Sequence, residues 1–95
     1  VIRNAKAKGS RQEHRTMRML EARGYRCTRA AASLGEWDVI GIGTVDAVLV
    51  QVKSNRWPRS GEMRVLRAFV VPPGVRKLLV RWRDGVMTPD VRQIA

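Results

Sequence analysis

Residues 37–54, Trp-Asp-Val-Ile-Gly-Ile-Gly-Thr-Val-Asp-Ala-Val-Leu-Val-Gln-Val-Lys-Ser, restrict the fold of this chain more than any other stretch. Two apolar, β-branched runs flank a Gly-rich turn, which predicts a hairpin of strands. Gly41 and Gly43 mark a place where the backbone bends and approaches its neighbours closely before the second strand. Three polar side chains interrupt the apolar pattern. Asp38 stands at the mouth of the first strand, and Gln51 and Lys53 lie one residue apart in the second, so the period of two places both on one face. A lysine in such a run is costly to bury unless an anionic group sits beside it.

The rest of the chain bounds what this hairpin can belong to. Ninety-five residues with 44% apolar content are enough for one core, so a single domain over residues 1–95 is expected. Nineteen basic residues against eight acidic ones give a net charge of +11, and fifteen of the nineteen are arginine. The planar guanidinium fork suits phosphate, which makes a polyanion the expected partner; the alternative is a solvated arginine-rich surface. A lone cysteine, Cys27, excludes an internal disulfide, and no Cys/His cluster has zinc-site spacing. No apolar run approaches membrane-spanning length and no signal pattern opens the chain, so the expected location is the cytoplasm, with the DNA.

Residues 1–9 carry three basic side chains and no acid, and read as a basic arm or the lead-in to a helix. Ser10 and Glu13 have capping-box spacing, which predicts a helix over residues 11–23 with Met17 and Leu20 inward and Gly24 as its stop. Arg11 and Arg15 fall on its exposed sides. A strand is expected over residues 25–30, and a turn-rich link containing Ser33 and Gly35 follows it. Asp46 reads as a turn or surface acid, and His14 as an exposed first-turn histidine. After Lys53, the loop Asn-Arg-Trp-Pro-Arg-Ser offers Arg56 and Arg59 for phosphates. Its Trp57 either stacks on an unpaired base or covers the core edge. Ser60 is placed to cap a second helix over residues 61–69, with Met63, Leu66 and Phe69 inward. Pro72, Pro73 and Gly74 stop it. A strand over residues 76–83 then shows Leu78, Val80 and Trp82 on one face and Lys77, Leu79, Arg81 and Arg83 on the other. Asp84-Gly85 predicts a hairpin to residues 86–88.

Asp38 on one strand with Gln51-Val52-Lys53 on the next resembles the active-site hairpin of the PD-(D/E)XK nuclease superfamily. That family usually carries Glu where this chain has Gln51. The opening Gly-Ser-x-x-Glu, the helix, Gly-Tyr, the strand and Ser33-Leu34-Gly35 before the Asp are similar to archaeal-type Holliday junction resolvases. The resemblance covers residues 8–55 and implies a small restriction-endonuclease-like α/β core: a mixed, largely antiparallel five-stranded sheet with a helix on each side. It implies a metal site of Glu13, Asp38, Gln51 and the Val52 carbonyl, holding magnesium with manganese as the alternative, and Lys53 beside the attacking water. Glu13 thus has two readings, cap and ligand. By the same analogy Ser33 lies near the scissile phosphate, against a bland reading as a loop residue, and Arg29 clamps phosphate. The implied activity is paired nicking of four-way DNA junctions by a homodimer, with no small-molecule cofactor. Two alternatives stand beside it: the same fold acting on flaps, mismatches or duplex DNA, or a junction-binding protein that has lost turnover through Gln51.

Overall fold

The computed structural model describes residues 4–30 and 34–95. Seven elements follow in the order α1 (Asn4–Glu21), β1 (Arg26–Arg29), β2 (Val39–Ile42), β3 (Ala47–Ser54), α2 (Ser60–Ala68), β4 (Val75–Trp82) and β5 (Asp90–Ile94). The expected succession of helix, three strands, helix and two strands is present. The five strands lie in sequence order in one sheet, antiparallel except for β3 and β4, which run parallel. A parallel neighbour requires a crossover, and α2 supplies it.

Each face of the sheet carries one helix. Val48 and Val50 of β3 and Leu78, Val80 and Trp82 of β4 pack with Leu20 of α1. Leu49 and Leu79, the intervening residues, pack with Leu66 of α2 and with Trp37. Strand alternation therefore assigns Gln51 and Lys53 to the α2 face. On the α1 face a buried polar chain joins helix to sheet: the Trp82 indole N–H donates to Thr16 Oγ1 at 2.9 Å, and that hydroxyl donates to the Gln12 carbonyl at 2.7 Å.

Gly24, at φ 95°, ends α1 as expected. The Tyr25 N–H reaches the Leu20 carbonyl at 3.1 Å and the Gly24 N–H reaches that of Glu21 at 3.0 Å, the bond pair of a Schellman motif. The other end differs from expectation. The helix begins at Asn4, so residues 4–9 are helical, and Ser10 lies inside the helix, where it cannot cap it. Ala5, Lys6, Ala7 and Lys8 are strong helix formers, and propagation through them outweighs the local cap signal. Glu13 is thereby released from the capping-box role.

Two further boundaries move. Arg59, not Ser60, is the N-cap of α2. The strand after Asp84-Gly85 begins at Asp90 and not within residues 86–88, with Arg81 paired to Asp90. The turn itself forms, with Gly85 at φ 76° and the Val86 N–H on the Arg83 carbonyl at 3.1 Å. Pro89, which lacks an N–H, precedes the new strand and sets where ladder bonding can start.

The close approach expected at the β2–β3 turn is present. A Cβ on Gly41 would lie 2.9 Å from Val48 Cγ2, and one on Gly43 would lie 2.9 Å from the Tyr25 ring. Beside it, Asp46 accepts from the Tyr25 hydroxyl and from Arg76 Nε, both at 2.7 Å, and Arg76 also donates to the Tyr25 oxygen at 2.9 Å. Asp46 is a structural acid of this turn.

Candidate functional site

The strand β2 starts at Val39, paired with Val50, while the N–H of Asp38 also goes to the Val50 carbonyl, at 2.8 Å. Two residues thus oppose one, the arrangement of a β-bulge, which re-aims a side chain at the end of a ladder. The redirected carboxylate turns onto β3. Asp38 Oδ2 accepts the Val52 N–H at 2.8 Å and the Gln51 amide Nε2 at 3.3 Å. In a strand the N–H and C=O of one residue point to the same side. The Val52 carbonyl therefore faces the same open edge, beyond the start of β2, beside Asp38.

Gln51 is 8% exposed, and its amide orientation follows from its partners. Nε2 donates to the Glu36 carbonyl at 2.9 Å and to Asp38, both acceptors, so the nitrogen must face them. Its Oε1 is buried with no hydrogen-bond partner among the described residues. An orphaned buried carbonyl oxygen is unfavourable by roughly 1–3 kcal/mol, and a hard cation would satisfy it.

Burial drives the Asp38 carboxyl above its ordinary range. The Val52 N–H opposes that shift, the charge of Glu13 adds to it, and the Lys53 ammonium and Gln51 amide pull back. Both Glu13 and Lys53 therefore lie within electrostatic reach of Asp38, although they approach from different elements. Glu13 comes from α1 and also accepts from Arg29 Nε of β1 at 2.8 Å. Lys53 comes from β3 and pairs with Glu62 Oε2 at 3.3 Å. Glu62 holds the Arg59 N–H with its other oxygen at 3.0 Å, and this backbone bond, ahead of Lys53, keeps its carboxyl low. One carboxylate thus caps α2 and anchors the lysine.

Of the four central residues expected to act together, Asp38 and Gln51 are in contact beside Val52, while Glu13 and Lys53 influence Asp38 through their charges from α1 and β3 and are themselves bonded to Arg29 and Glu62. Ser33 lies outside the described residues. Arg29 is engaged by Glu13. Arg56 and Arg59 are exposed on the loop between β3 and α2, next to Lys53 in sequence. Trp57 packs against the α2-side core, with the guanidinium carbons of Arg81 and Arg92 at 4.6 and 4.2 Å from its ring centroid. Base stacking on Trp57 would require a guanidinium to leave. Arg11 and Arg15 line a separate groove with the loop after β4. Sequence reasoning missed Glu62; its position three residues after the Arg59 N-cap was the signal available.

Among the described residues, no group of three or more His, Cys, Asp or Glu side chains is placed to hold a metal ion. The oxygens offered at this corner are the second oxygen of Asp38, Gln51 Oε1 and the Val52 carbonyl, while the carboxylate of Glu13 is engaged by Arg29. That set fits a hard divalent ion such as magnesium or manganese, with reduced ligand charge. No helix among the described residues is long and apolar enough to cross a membrane. Neither a protein-family model nor a curated protein sequence matches the chain.

Proposed function

We propose that the chain is a metal-dependent endonuclease of the PD-(D/E)XK type, acting on branched DNA and resolving four-way junctions by paired nicks as a homodimer. The observation that carries this reading is the bulged Asp38 carboxylate held by the Gln51 amide nitrogen, whose own Oε1 is left without a partner among the described residues, with Lys53 on the same face of β3. A hard cation is a partner that would satisfy that oxygen.

Asp38, Gln51, the Val52 carbonyl and Glu13 would hold the ion. A divalent cation held by these residues would acidify a water and offset the negative charge that builds on the phosphate oxygens during hydrolysis. The Lys53 ammonium, restrained by Glu62, orients the water and neutralises charge on the phosphate oxygens. Arg29 tempers the repulsion between Glu13 and Asp38, and Arg56 and Arg59 are available to neighbouring phosphates. Paired nicks need two such sites, hence the dimer.

A second reading rests on the same amide. Gln51 contributes a dipole without charge and spends its N–H groups on Asp38 and Glu36, which favours a junction-binding protein without turnover. A labelled four-way junction, a linear duplex and a flap, each incubated with magnesium, manganese or chelator, separate the possibilities. Symmetric nicks confined to the junction support resolution, and cutting of flap or duplex shifts the substrate. Tight junction binding without cleavage in any metal selects the second reading.

A further inference from the structure

A groove of about 430 Å³ opens between the first half of α1 and the loop that follows β4. It is lined by the cations Lys8, Arg11, Arg15 and Arg83, with Asp84 as the one carboxylate and exposed Met87 at its lip. Asp84 is held from two sides: Lys8 Nζ lies 2.7 Å from Oδ1 and offsets its charge, and Asn55 Nδ2 donates to Oδ2 at 3.2 Å. Arg15 is held with its guanidinium carbon 4.0 Å from the centroid of buried Trp82, and it donates to Gln12 Oε1 at 3.0 Å. Arg83 shares Asp90 with Arg81, whereas Arg11 joins no ion pair among the described residues. Positive charge is thus concentrated in a concave site, where the surrounding low-dielectric protein focuses the field.

We infer that this groove binds the sugar-phosphate backbone of duplex DNA, independently of base sequence. Lys8, Arg11 and Arg15 recur every three or four residues and form one stripe along α1. Seven residues of helix span about 10 Å, against a rise of about 3.4 Å per nucleotide on each strand. The stripe therefore addresses roughly two or three consecutive phosphates, which favours a polymer over a lone anion. The ring nearest the groove, Trp82, is 4% exposed beneath Arg15, so no stacking platform is offered to bases. The groove is also tied to the end of the strand that carries Lys53. Asn55, two residues beyond Lys53, takes a bond from the Asp84 N–H at 2.9 Å and gives its own N–H to the Trp82 carbonyl at 2.8 Å. The strand end that carries Lys53 thus braces the groove wall. Duplex held here is a flank of the DNA presented to Asp38, a role that deepens the nuclease reading, although the binding itself needs no turnover.

Fluorescence anisotropy of a labelled mixed-sequence duplex, titrated with the full chain in chelator across a range of salt, tests the groove. Arg11→Ala/Arg83→Ala is compared with Arg64→Ala/Arg67→Ala, which removes equal charge from exposed positions of α2. The groove pair is expected to weaken binding about tenfold or more and to make the salt slope shallower by about 1.8, with the α2 pair changing much less. Arg11→Glu, a single exposed change, should weaken binding further than Arg11→Ala. Equal losses in the two pairs, or wild-type binding in the groove pair, overturn the inference. Asp38→Asn run in parallel keeps the readings distinct: failure of the cleavage proposal leaves groove-dependent binding intact, and failure of the groove leaves metal-dependent cutting to be judged separately.

Discussion

Gln51 hands its amide nitrogen to Asp38 Oδ2 at 3.3 Å while its own Oε1 stays buried without a partner. The contact pins the carboxylate that the β-bulge has turned onto β3, and the orphaned oxygen sits on the same polar corner.

Gln51→Glu replaces that dipole with a charge next to Asp38. In chelator the added repulsion should lower the melting temperature below wild type, since like charges in a partly buried site disfavour the folded state. Magnesium should then stabilise the variant by on the order of 2.7 kcal/mol when the ion is at a hundred times its dissociation constant, and wild type by less. Cleavage should be equal or faster. Melting curves with and without magnesium check the first two statements; a variant indifferent to the ion contradicts them.

Asp38→Asn isolates the raised carboxyl. In wild type the folded state keeps this proton to higher pH than the unfolded chain, whose carboxyl titrates near 3.8. Between 3.8 and the raised value the folded state binds more protons, so stability falls as pH rises through that window. The penalty is absent below the window and complete above it. Asparagine retains an oxygen for the Val52 N–H and cannot ionise. The variant should therefore melt above wild type at neutral pH, with the gap closing as the pH approaches 3.8. A gap that widens on acidification is the contrary result.

Glu62→Gln separates two duties of one side chain. The amide oxygen can still accept the Arg59 N–H and keep α2 capped, but the charge that restrains Lys53 is gone. Cleavage should drop several-fold with DNA affinity and melting temperature close to wild type. A large loss of stability would assign Glu62 to the cap alone.

Lys77 is 4% exposed and donates to the carbonyls of Leu66, Arg67 and Phe69 at 2.9, 3.0 and 2.9 Å, closing the C-terminal end of α2. Lys77→Met leaves those carbonyls without their donor and should destabilise the fold by about 1–3 kcal/mol. Urea denaturation measures it, and a loss below the error of the extrapolation refutes the capping role.

The hairpin of β2 and β3, the succession of elements and the inward faces of β4 were legible because period-two alternation and Gly/Pro punctuation are local signals. Gln51 and Lys53 could be assigned to one face for the same reason. The β-bulge at Asp38 was not legible, since nothing in Trp37-Asp38-Val39 announces that two residues will oppose Val50. Lys77 could be placed on the same face as Leu79 from the sequence. Its partners could not be named, because they depend on the parallel register Leu49↔Lys77 and on where α2 ends above it. The start of α1 was misjudged where a cap signal competed with a run of strong helix formers. The α1 groove is non-local, uniting residues about seventy positions apart in the chain.

The most direct test of the account maps nicks on a labelled four-way junction in magnesium or manganese, using wild type, Gln51→Glu, Asp38→Asn and Lys53→Met. Wild type or, more strongly, Gln51→Glu should make paired, metal-dependent incisions, and these should be lost in Asp38→Asn and Lys53→Met while junction binding persists. Incisions that survive in Asp38→Asn, or none from either wild type or Gln51→Glu in both metals, would contradict the nuclease reading.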